Sequence, residues 1–212
     1  IVDLADAGNH VCQAHGWPTF PVEQYKHMVG RGIPNLVRQF VPQELGQEAV
    51  EVALAEFSAW YDLHKEDKTA PYPGIARAVE LLKAAGVSVA VLSNKAHSLA
   101  APVVGHYFPG LFPLVQGALP GVPVKPDPTL LCRMLAELGA APETTLFVGD
   151  SDVDILTGKN GGLAACGVLW GFRDRVELEG AGADLVINRP AQLVEVVTGT
   201  SDDSYTEIVS HL

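Results

Sequence analysis

Five short apolar runs in the second part of the sequence constrain the fold more than any other feature. They cover residues 87–92, 114–116, 145–148, 166–170 and 185–187. Such runs, β-branched and bounded by glycine or polar turns, are typical of buried parallel strands. Helical patterns lie among them: Ile75, Val79 and Leu82 share one face before the first run, and residues 131–138 follow the second. Strands that alternate with helices predict an α/β fold with a parallel sheet and right-handed crossovers.

Residues 1 to about 68 show helical periodicity instead. Four apolar residues recur at i, i+4, i+7 and i+11 and therefore share one helical face. They are Val50, Leu54, Phe57 and Tyr61. The character of the sequence changes at residues 71–74, which read Pro-Tyr-Pro-Gly. Because proline and glycine interrupt regular structure, we expect a helical region to end here and the α/β region to begin.

Net charge and hydropathy limit the classes of binding partner, and the cysteine spacing indicates the cellular compartment. The net charge is −11, from 25 acidic and 14 basic residues, which disfavours nucleic acid because phosphate backbones are bound mainly by lysine and arginine. No apolar run approaches the roughly 20 uncharged residues of a membrane helix, so no membrane partner is expected. Cys12, Cys132 and Cys166 are far apart and form no CxxC pair. This spacing favours a reducing, cytoplasmic compartment.

Polar residues follow the first apolar run, where a ligand site is expected. In open parallel sheets, ligands bind beyond the carboxyl ends of the strands. Ser93, Asn94 and Lys95 come directly after the run that ends at residue 92. The Ser93 hydroxyl and the following backbone N–H groups could hold phosphate oxygens. The alternative is that Ser93 only caps a helix.

The second group of polar residues contains a lysine that two rigid prolines follow. Lys125 is followed by Pro126, Asp127 and Pro128, just before a helical pattern. The prolines restrict the backbone around the lysine. A lysine held in this way could neutralise a phosphoryl group as a point cation. The alternative is an ordinary surface lysine.

The third group of polar residues, a cluster of carboxylates directly after an apolar run, is the most specific signal in the sequence. Asp150, Asp152 and Asp154 directly follow the apolar run at residues 145–148. Three aspartates within five residues repel one another, and the arrangement suits a hard cation with oxygen ligands, usually Mg²⁺. The alternative is that Ser151 or an aspartate merely starts a helix.

These three groups, in this order, resemble the motifs of the haloacid dehalogenase-like hydrolases over essentially the whole chain. Residues 28–32, 34–36 and 71–74 are similar to the phosphoglycolate phosphatase branch. The resemblance implies a parallel Rossmann-like sheet flanked by helices, with a helical cap domain. The cap would cover residues 1–70, the α/β core residues 71–197, and a C-terminal tail residues 198–212.

The resemblance also implies roles for five residues of the α/β region. Asp150 would bind Mg²⁺, and Asp154 would support the metal shell or orient the lysine. Ser93 and the backbone of Asn94 would hold phosphoryl oxygens, while Lys125 would stabilise charge on the nucleophile and the phosphate. An aspartate would attack the phosphate monoester, and water would hydrolyse the resulting aspartyl-phosphate.

Arg31 is the candidate for contact with a second anionic group of a small phosphorylated substrate. The breaks at Gly30 and Gly32 predict a tight loop that presents this one cation. Within the resemblance, the loop belongs to the cap, and Arg31 would bind the carboxylate of a substrate such as 2-phosphoglycolate. The alternative is a solvated loop arginine. The protein would act as a monomer or a homodimer.

The sequence departs from the resembled pattern in two places. The motif Asp-x-Asp-Gly-Thr, which supplies the nucleophile, does not occur; Asp3 and Asp6 have the wrong spacing and lie in a helical pattern. That motif belongs to a strand in the middle of the sheet, so its absence should leave strand edges unpaired. We therefore expect either a longer natural chain or a segment supplied in another way. Residues 158–162 are rich in glycine, which predicts an early end or mobility of the preceding helix.

Other functions remain open at this point. The same motifs occur in sugar-phosphate phosphatases, phosphomutases and pyrophosphatases, and a catalytically inactive metal- or anion-binding module is an alternative from another class. Hydrolytic dehalogenation is disfavoured by the acidic cluster, because dehalogenases of this family use no metal. A signalling receiver domain is disfavoured because its acidic pair comes early in the chain.

Overall fold

The structure is a computed structural model that describes residues 1–199. The chain divides into two compact units, one covering Ile1–Ala70 and a second that begins at Pro71. The predicted tail at residues 198–212 lies almost wholly outside the described part; Thr198 ends the last helix and Gly199 caps it. Within residues 1–199, no helix combines the length and the apolar character that a membrane span requires.

The first unit is helical, as its periodicity predicts. Its elements are α1 Val2–His15, α2 Val22–Met28, α3 Ile33–Phe40, a short 3-10 helix Gln43–Leu45 and α4 Gly46–His64. Tyr25, Leu36 and Phe57 are almost fully buried in its core. Of the predicted α4 face, Phe57 and Tyr61 are buried, while Val50 and Leu54 pack against the core from its edge.

Two aspartates near the start of α1 hold the ends of the helical unit together. Asp3, only 3% exposed, accepts hydrogen bonds from the Lys68 backbone N–H at 3.0 Å and from the Thr69 hydroxyl at 2.7 Å. The Lys68 ammonium lies 2.7 Å from a carboxylate oxygen of Asp6. These contacts give both aspartates a structural role in the helical unit.

The second unit alternates strands and helices. Its elements are α5 Ile75–Ala84, β1 Ala90–Ala96, α6 His97–Tyr107, β2 Leu114–Ala118, α7 Thr129–Leu138, a 3-10 helix Pro142–Thr144, β3 Leu146–Gly149, α8 Asp152–Asn160, β4 Ala164–Val168, α9 Arg175–Gly180, β5 Leu185–Ile187 and α10 Ala191–Thr198. All strand pairs are parallel. Each predicted apolar run overlaps a strand, which confirms the α/β prediction.

The first strand lies further along the chain than the sequence predicted. The apolar run predicts a strand at residues 87–92, but β1 begins at Ala90 and continues through Ala96. Gly86 has a positive φ of 80°, and the Val87 N–H donates to the Leu82 carbonyl at 2.9 Å. Residues 86 and 87 therefore still belong to the cap of α5, which delays the strand.

The strands form two sheets rather than one. β1 pairs with β2, and β3–β4–β5 form a second sheet. Leu131 and Leu135 of α7 belong to a cluster against which Leu92 of β1 and Phe147 of β3 both pack. Among the described residues, β1 pairs only with β2 and β3 only with β4. Unpaired edges of this kind are expected where a sheet lacks a middle strand.

The glycine-rich segment does not end α8 early, contrary to the prediction. The helix continues through Gly158 and Lys159 to Asn160. A Cβ atom at position 158 would lie 2.9 Å from the Cβ of Phe147 and 3.2 Å from that of Ala165. The glycine therefore allows α8 to pack closely on the sheet, and this packing outweighs the low helix propensity of glycine.

This packing predicts that alanine at two helical glycine positions changes the free energy of unfolding in opposite directions. Gly105 lies in α6, where an added Cβ meets no atom within 4 Å, so Gly105→Ala should stabilise the protein by roughly 0.5 to 1 kcal/mol. Gly158→Ala should destabilise it by roughly 1 to 3 kcal/mol because of overpacking. Urea unfolding of both variants measures the two effects. Equal stabilisation by both would contradict the packing argument.

Candidate active site

An ion pair between Lys125 and Asp154 lies at the centre of the candidate site. The Lys125 ammonium is 2.6 Å from Asp154 Oδ1, and the two side chains are only 13% and 10% exposed. The ammonium also lies 5.9 Å from the centre of the Phe147 ring, within the range of a cation–π contact. The ammonium of Lys125 is therefore fixed by an ion pair with Asp154, and the alternative of an ordinary surface lysine is wrong.

The turn from β3 into α8 brings Asp154 to this position. Ser151 caps α8, since its hydroxyl oxygen accepts from the Asp154 N–H. The same hydroxyl donates to Asp154 Oδ2 at 2.6 Å, and the Asp150 N–H donates to that oxygen at 3.2 Å. A side chain at Gly149 would collide with Asp154. Ser151 therefore caps α8, as the alternative predicts, but it also fixes the Asp154 carboxylate.

The loop after β4 holds Asp150. The Phe172 N–H donates to Asp150 Oδ2 at 3.0 Å. A side chain at Gly171 would collide with the Asp150 side chain, so only glycine allows this approach. This contact is not predicted from the sequence. A Gly-Phe pair three and four positions beyond β4 is a weak signal, because many loops contain such pairs.

The two neighbouring aspartates have opposite pKa shifts. Burial raises the pKa of Asp150, and the charge of Asp154 raises it further; the Phe172 N–H and Lys125 only partly oppose this. Burial would also raise the pKa of Asp154, but the charge of Lys125 and the hydrogen bonds from Lys125 and Ser151 lower it below its ordinary value. The surroundings of Asp154 therefore favour its anionic form, while those of Asp150 disfavour its anionic form.

Ser93 and Asn94 lie within β1 and do not begin a helix. The Lys95 N–H donates to the Ser93 hydroxyl oxygen at 3.1 Å, and α6 starts only at His97. The helix-cap alternative for Ser93 is therefore wrong. The Asn94 amide accepts from the Lys125 N–H at 2.8 Å and donates to the Lys125 carbonyl at 3.0 Å. Asn94 thus joins the site through its side chain as well.

The remaining predicted residues lie in the helical unit. Arg31 is exposed in the loop between α2 and α3, flanked by Gly30 and Gly32. The two glycines have φ angles of 129° and 86°, which side chains rarely adopt. The tight loop predicted from the glycines is therefore present.

Asp150 is the candidate ligand for a divalent cation. Among residues 1–199, no cluster of three or more histidine, cysteine or acidic side chains could hold a metal ion by itself. Both oxygens of Asp154 already accept hydrogen bonds from protein groups. Asp150 has a partly buried carboxylate, and burial and the charge of Asp154 raise its pKa, a shift that a nearby positive charge would oppose. A hard cation at Asp150 would supply that charge.

Asp150→Asn and Asp154→Asn should change the stability of the metal-free protein in opposite directions. Asp150→Asn should stabilise it by roughly 0.5 to 2 kcal/mol at neutral pH, because it removes a carboxylate that the folded state disfavours. Asp154→Asn should destabilise it by roughly 2 to 4 kcal/mol, because the Lys125 charge loses its partner. Urea unfolding in EDTA measures both changes.

The pH dependence of these two effects should also differ. A raised folded pKa makes Asp150 increasingly unfavourable as the pH rises above its ordinary value of 3.8. A lowered folded pKa makes the contribution of Asp154 favourable above 3.8, and it is lost as the pH falls through the folded value. Unfolding at pH 3 and pH 7 tests this. Shifts of the same sign in both variants would contradict the electrostatic account.

Comparison with known proteins agrees with these features. The sequence model of the haloacid dehalogenase-like hydrolase family matches residues 3–162. The phosphoglycolate phosphatase of Aquifex aeolicus is 31% identical over 196 residues, which cover 92% of this chain and 89% of that protein. That of Chromobacterium violaceum is 32% identical over 204 residues, covering 93% and 90%. A solved structure from Lactobacillus delbrueckii superimposes with a TM-score of 0.87 at 29% identity, covering 92% of this chain and 91% of that one. The resemblance is confirmed, and the chain belongs to the haloacid dehalogenase-like hydrolases.

Proposed function

We propose that the protein is a Mg²⁺-dependent phosphatase that hydrolyses a small phosphate monoester such as 2-phosphoglycolate. The observation that carries the proposal is the ion pair between Lys125 and Asp154, beside the carboxylate of Asp150, whose pKa is raised by burial and by the charge of Asp154. Such an arrangement favours a ligand that brings both a metal cation and a dianionic phosphate. The similarity to two phosphoglycolate phosphatases at about 30% identity supports the same substrate class.

The proposed reaction passes through an aspartyl-phosphate. A carboxylate oxygen of the nucleophilic aspartate bonds to phosphorus, and the bond from phosphorus to the ester oxygen breaks. The leaving alkoxide takes a proton, and water then hydrolyses the acyl phosphate to inorganic phosphate and the free carboxylate. The Asp-x-Asp-Gly-Thr motif does not occur in these 212 residues, so we infer that another segment supplies the nucleophile. The unpaired edges of β1 and β3 support a strand at that place.

The charged residues of the α/β unit would stabilise the transferring phosphoryl group. Lys125 would neutralise negative charge that develops on the phosphoryl oxygens and the nucleophile, and Asp154 would hold the ammonium in place. Asp150 would hold Mg²⁺, which when bound supplies Lewis-acid stabilisation of the same oxygens. The Ser93 hydroxyl and the Asn94 backbone N–H would donate hydrogen bonds to the phosphoryl group.

Arg31 would select the substrate through its second anionic group. Its guanidinium can bind a carboxylate with two parallel hydrogen bonds. Gly30 and Gly32 would allow the backbone of this loop to approach the substrate closely. We further propose a cytoplasmic location, which the three free cysteines support, since thiols persist in a reducing compartment.

Phosphate release from 2-phosphoglycolate tests the proposed activity. The natural full-length protein should release phosphate with Mg²⁺ and lose activity in EDTA. Asp150→Asn should lower kcat by at least about 100-fold, because the metal would lose a charged ligand, while the fold is retained. Release that needs no metal would contradict the metal assignment. No release from any phosphate monoester would favour the inactive metal- or anion-binding module instead.

A comparison of two substrates tests the role of Arg31. Arg31→Leu should lower kcat/KM for 2-phosphoglycolate by about 10- to 100-fold, as expected for the loss of a charged hydrogen bond. It should leave ethyl phosphate, which has no carboxylate, nearly unchanged. Arg38→Leu, at an exposed position on α3, is the matched control. Equal losses on both substrates would contradict carboxylate recognition, and preference for a sugar phosphate or pyrophosphate would favour the related activities of the family.

A further inference from the structure

The loop that carries Lys125 is held by the side-chain amides of two asparagines. Asn94 on β1 pairs with both the N–H and the carbonyl of Lys125, at 2.8 and 3.0 Å. Asn160, the last residue of α8, donates from Nδ2 to the Pro126 carbonyl at 2.9 Å. Three consecutive peptide units of the loop are therefore fixed by two separate elements.

The chemistry of these contacts requires an amide. The Asn94 side chain both accepts and donates, so it binds one residue of the loop as a neighbouring strand would. An aspartate at position 94 could accept from the Lys125 N–H but could not donate to its carbonyl. At position 160 the essential group is the donor, which an aspartate lacks and a glutamine retains.

Helix α8 holds the Lys125 loop at two points. Asp154, in its first turn, binds the Lys125 ammonium, and Asn160, at its end, binds the carbonyl of the next residue. The two positions are six residues apart, a rise of roughly 9 Å along the helix. A lysine has a flexible four-carbon side chain, so fixing its main chain restricts the positions that its ammonium can reach.

We propose that Asn160, together with the side chain of Asn94, is a positioning residue that sets the place of the Lys125 ammonium. The proposal rests on the proposed catalytic role of Lys125. It differs from the phosphoryl contact assigned to the Asn94 backbone, because the side chains act through the Lys125 loop. Asn160 itself touches no reacting atom in this account.

Trace labelling of amines with acetic anhydride tests whether Asn94 and Asn160 position the Lys125 ammonium, and it needs no assay of turnover. We call these two asparagines, with their bonds to the Lys125 loop, the clamp. In the wild-type chain, Lys125 should react slowly relative to Lys68, whose side chain is 57% exposed. Asn160→Ala and Asn94→Ala should each raise the relative rate at Lys125 by about 3- to 10-fold, as expected for the loss of a hydrogen bond. Peptide mass spectrometry measures the rates.

Three further variants separate positioning from general destabilisation. Asn160→Gln should restore the wild-type labelling rate, and Asn160→Asp should behave like the alanine variant. Asn188→Ala is the matched control, since Asn188 is an exposed asparagine of the same unit whose N–H is bonded to Gln192. An unchanged Lys125 rate in Asn160→Ala, or an equal increase in Asn188→Ala, would overturn the proposal. If Asn94→Ala does not fold, exposed Asn160 still decides the question.

Turnover by the full-length protein with Mg²⁺ tests the catalytic consequence. Asn160→Ala should lower kcat about 3- to 10-fold with KM changed less than about 2-fold, and Asn160→Gln should restore kcat. An active enzyme in which Asn160→Ala leaves kcat unchanged overturns the positioning role but leaves the phosphatase function intact. A wild-type protein without phosphatase activity contradicts the proposed function, while the labelling rates still decide whether the clamp exists.

Discussion

The ion pair between Lys125 and Asp154 is the interaction on which the candidate site depends. Both side chains are nearly buried, and two charges in that environment are tolerated only if each is paired and hydrogen-bonded. The Ser151 hydroxyl and the Asp150 N–H complete the bonding of the Asp154 carboxylate. The end of β3, the start of α8 and the Lys125 loop therefore form one interdependent structure, in which the loss of either charge leaves the other buried alone.

The same pair explains why Asp150 differs from its neighbour. Burial is the largest cause of the raised pKa of Asp150, and the negative charge of Asp154 adds to it, while the Phe172 N–H and Lys125 oppose it only in part. The folded protein retains an aspartate that costs stability in the absence of a cation. Functional sites commonly show such a conflict between stability and activity. In the proposed function, Mg²⁺ and the phosphate dianion resolve this conflict by supplying opposite charges to Asp150 and Lys125.

The sequence predicts the parallel α/β fold and the carboxylate cluster that directly follows β3, because apolar periodicity and local motifs are short-range signals. It does not predict contacts that depend on tertiary packing. Asn94 and Lys125 are 31 residues apart, and no periodicity marks a side-chain amide that pairs with a distant backbone. The start of β1 was misplaced because the cap of α5 uses apolar residues that resemble a strand. Gly158 was misread because its packing partner, Phe147, lies on another element.

The central claim is that Lys125, held by Asp154, stabilises the transferring phosphoryl group. The most direct test is phosphate release from 2-phosphoglycolate by the full-length protein and its Lys125→Met variant in saturating Mg²⁺. The account predicts that the variant folds but that kcat falls by at least about 100-fold, as expected for the loss of a preorganised charge. A folded Lys125→Met variant with the wild-type kcat would contradict it.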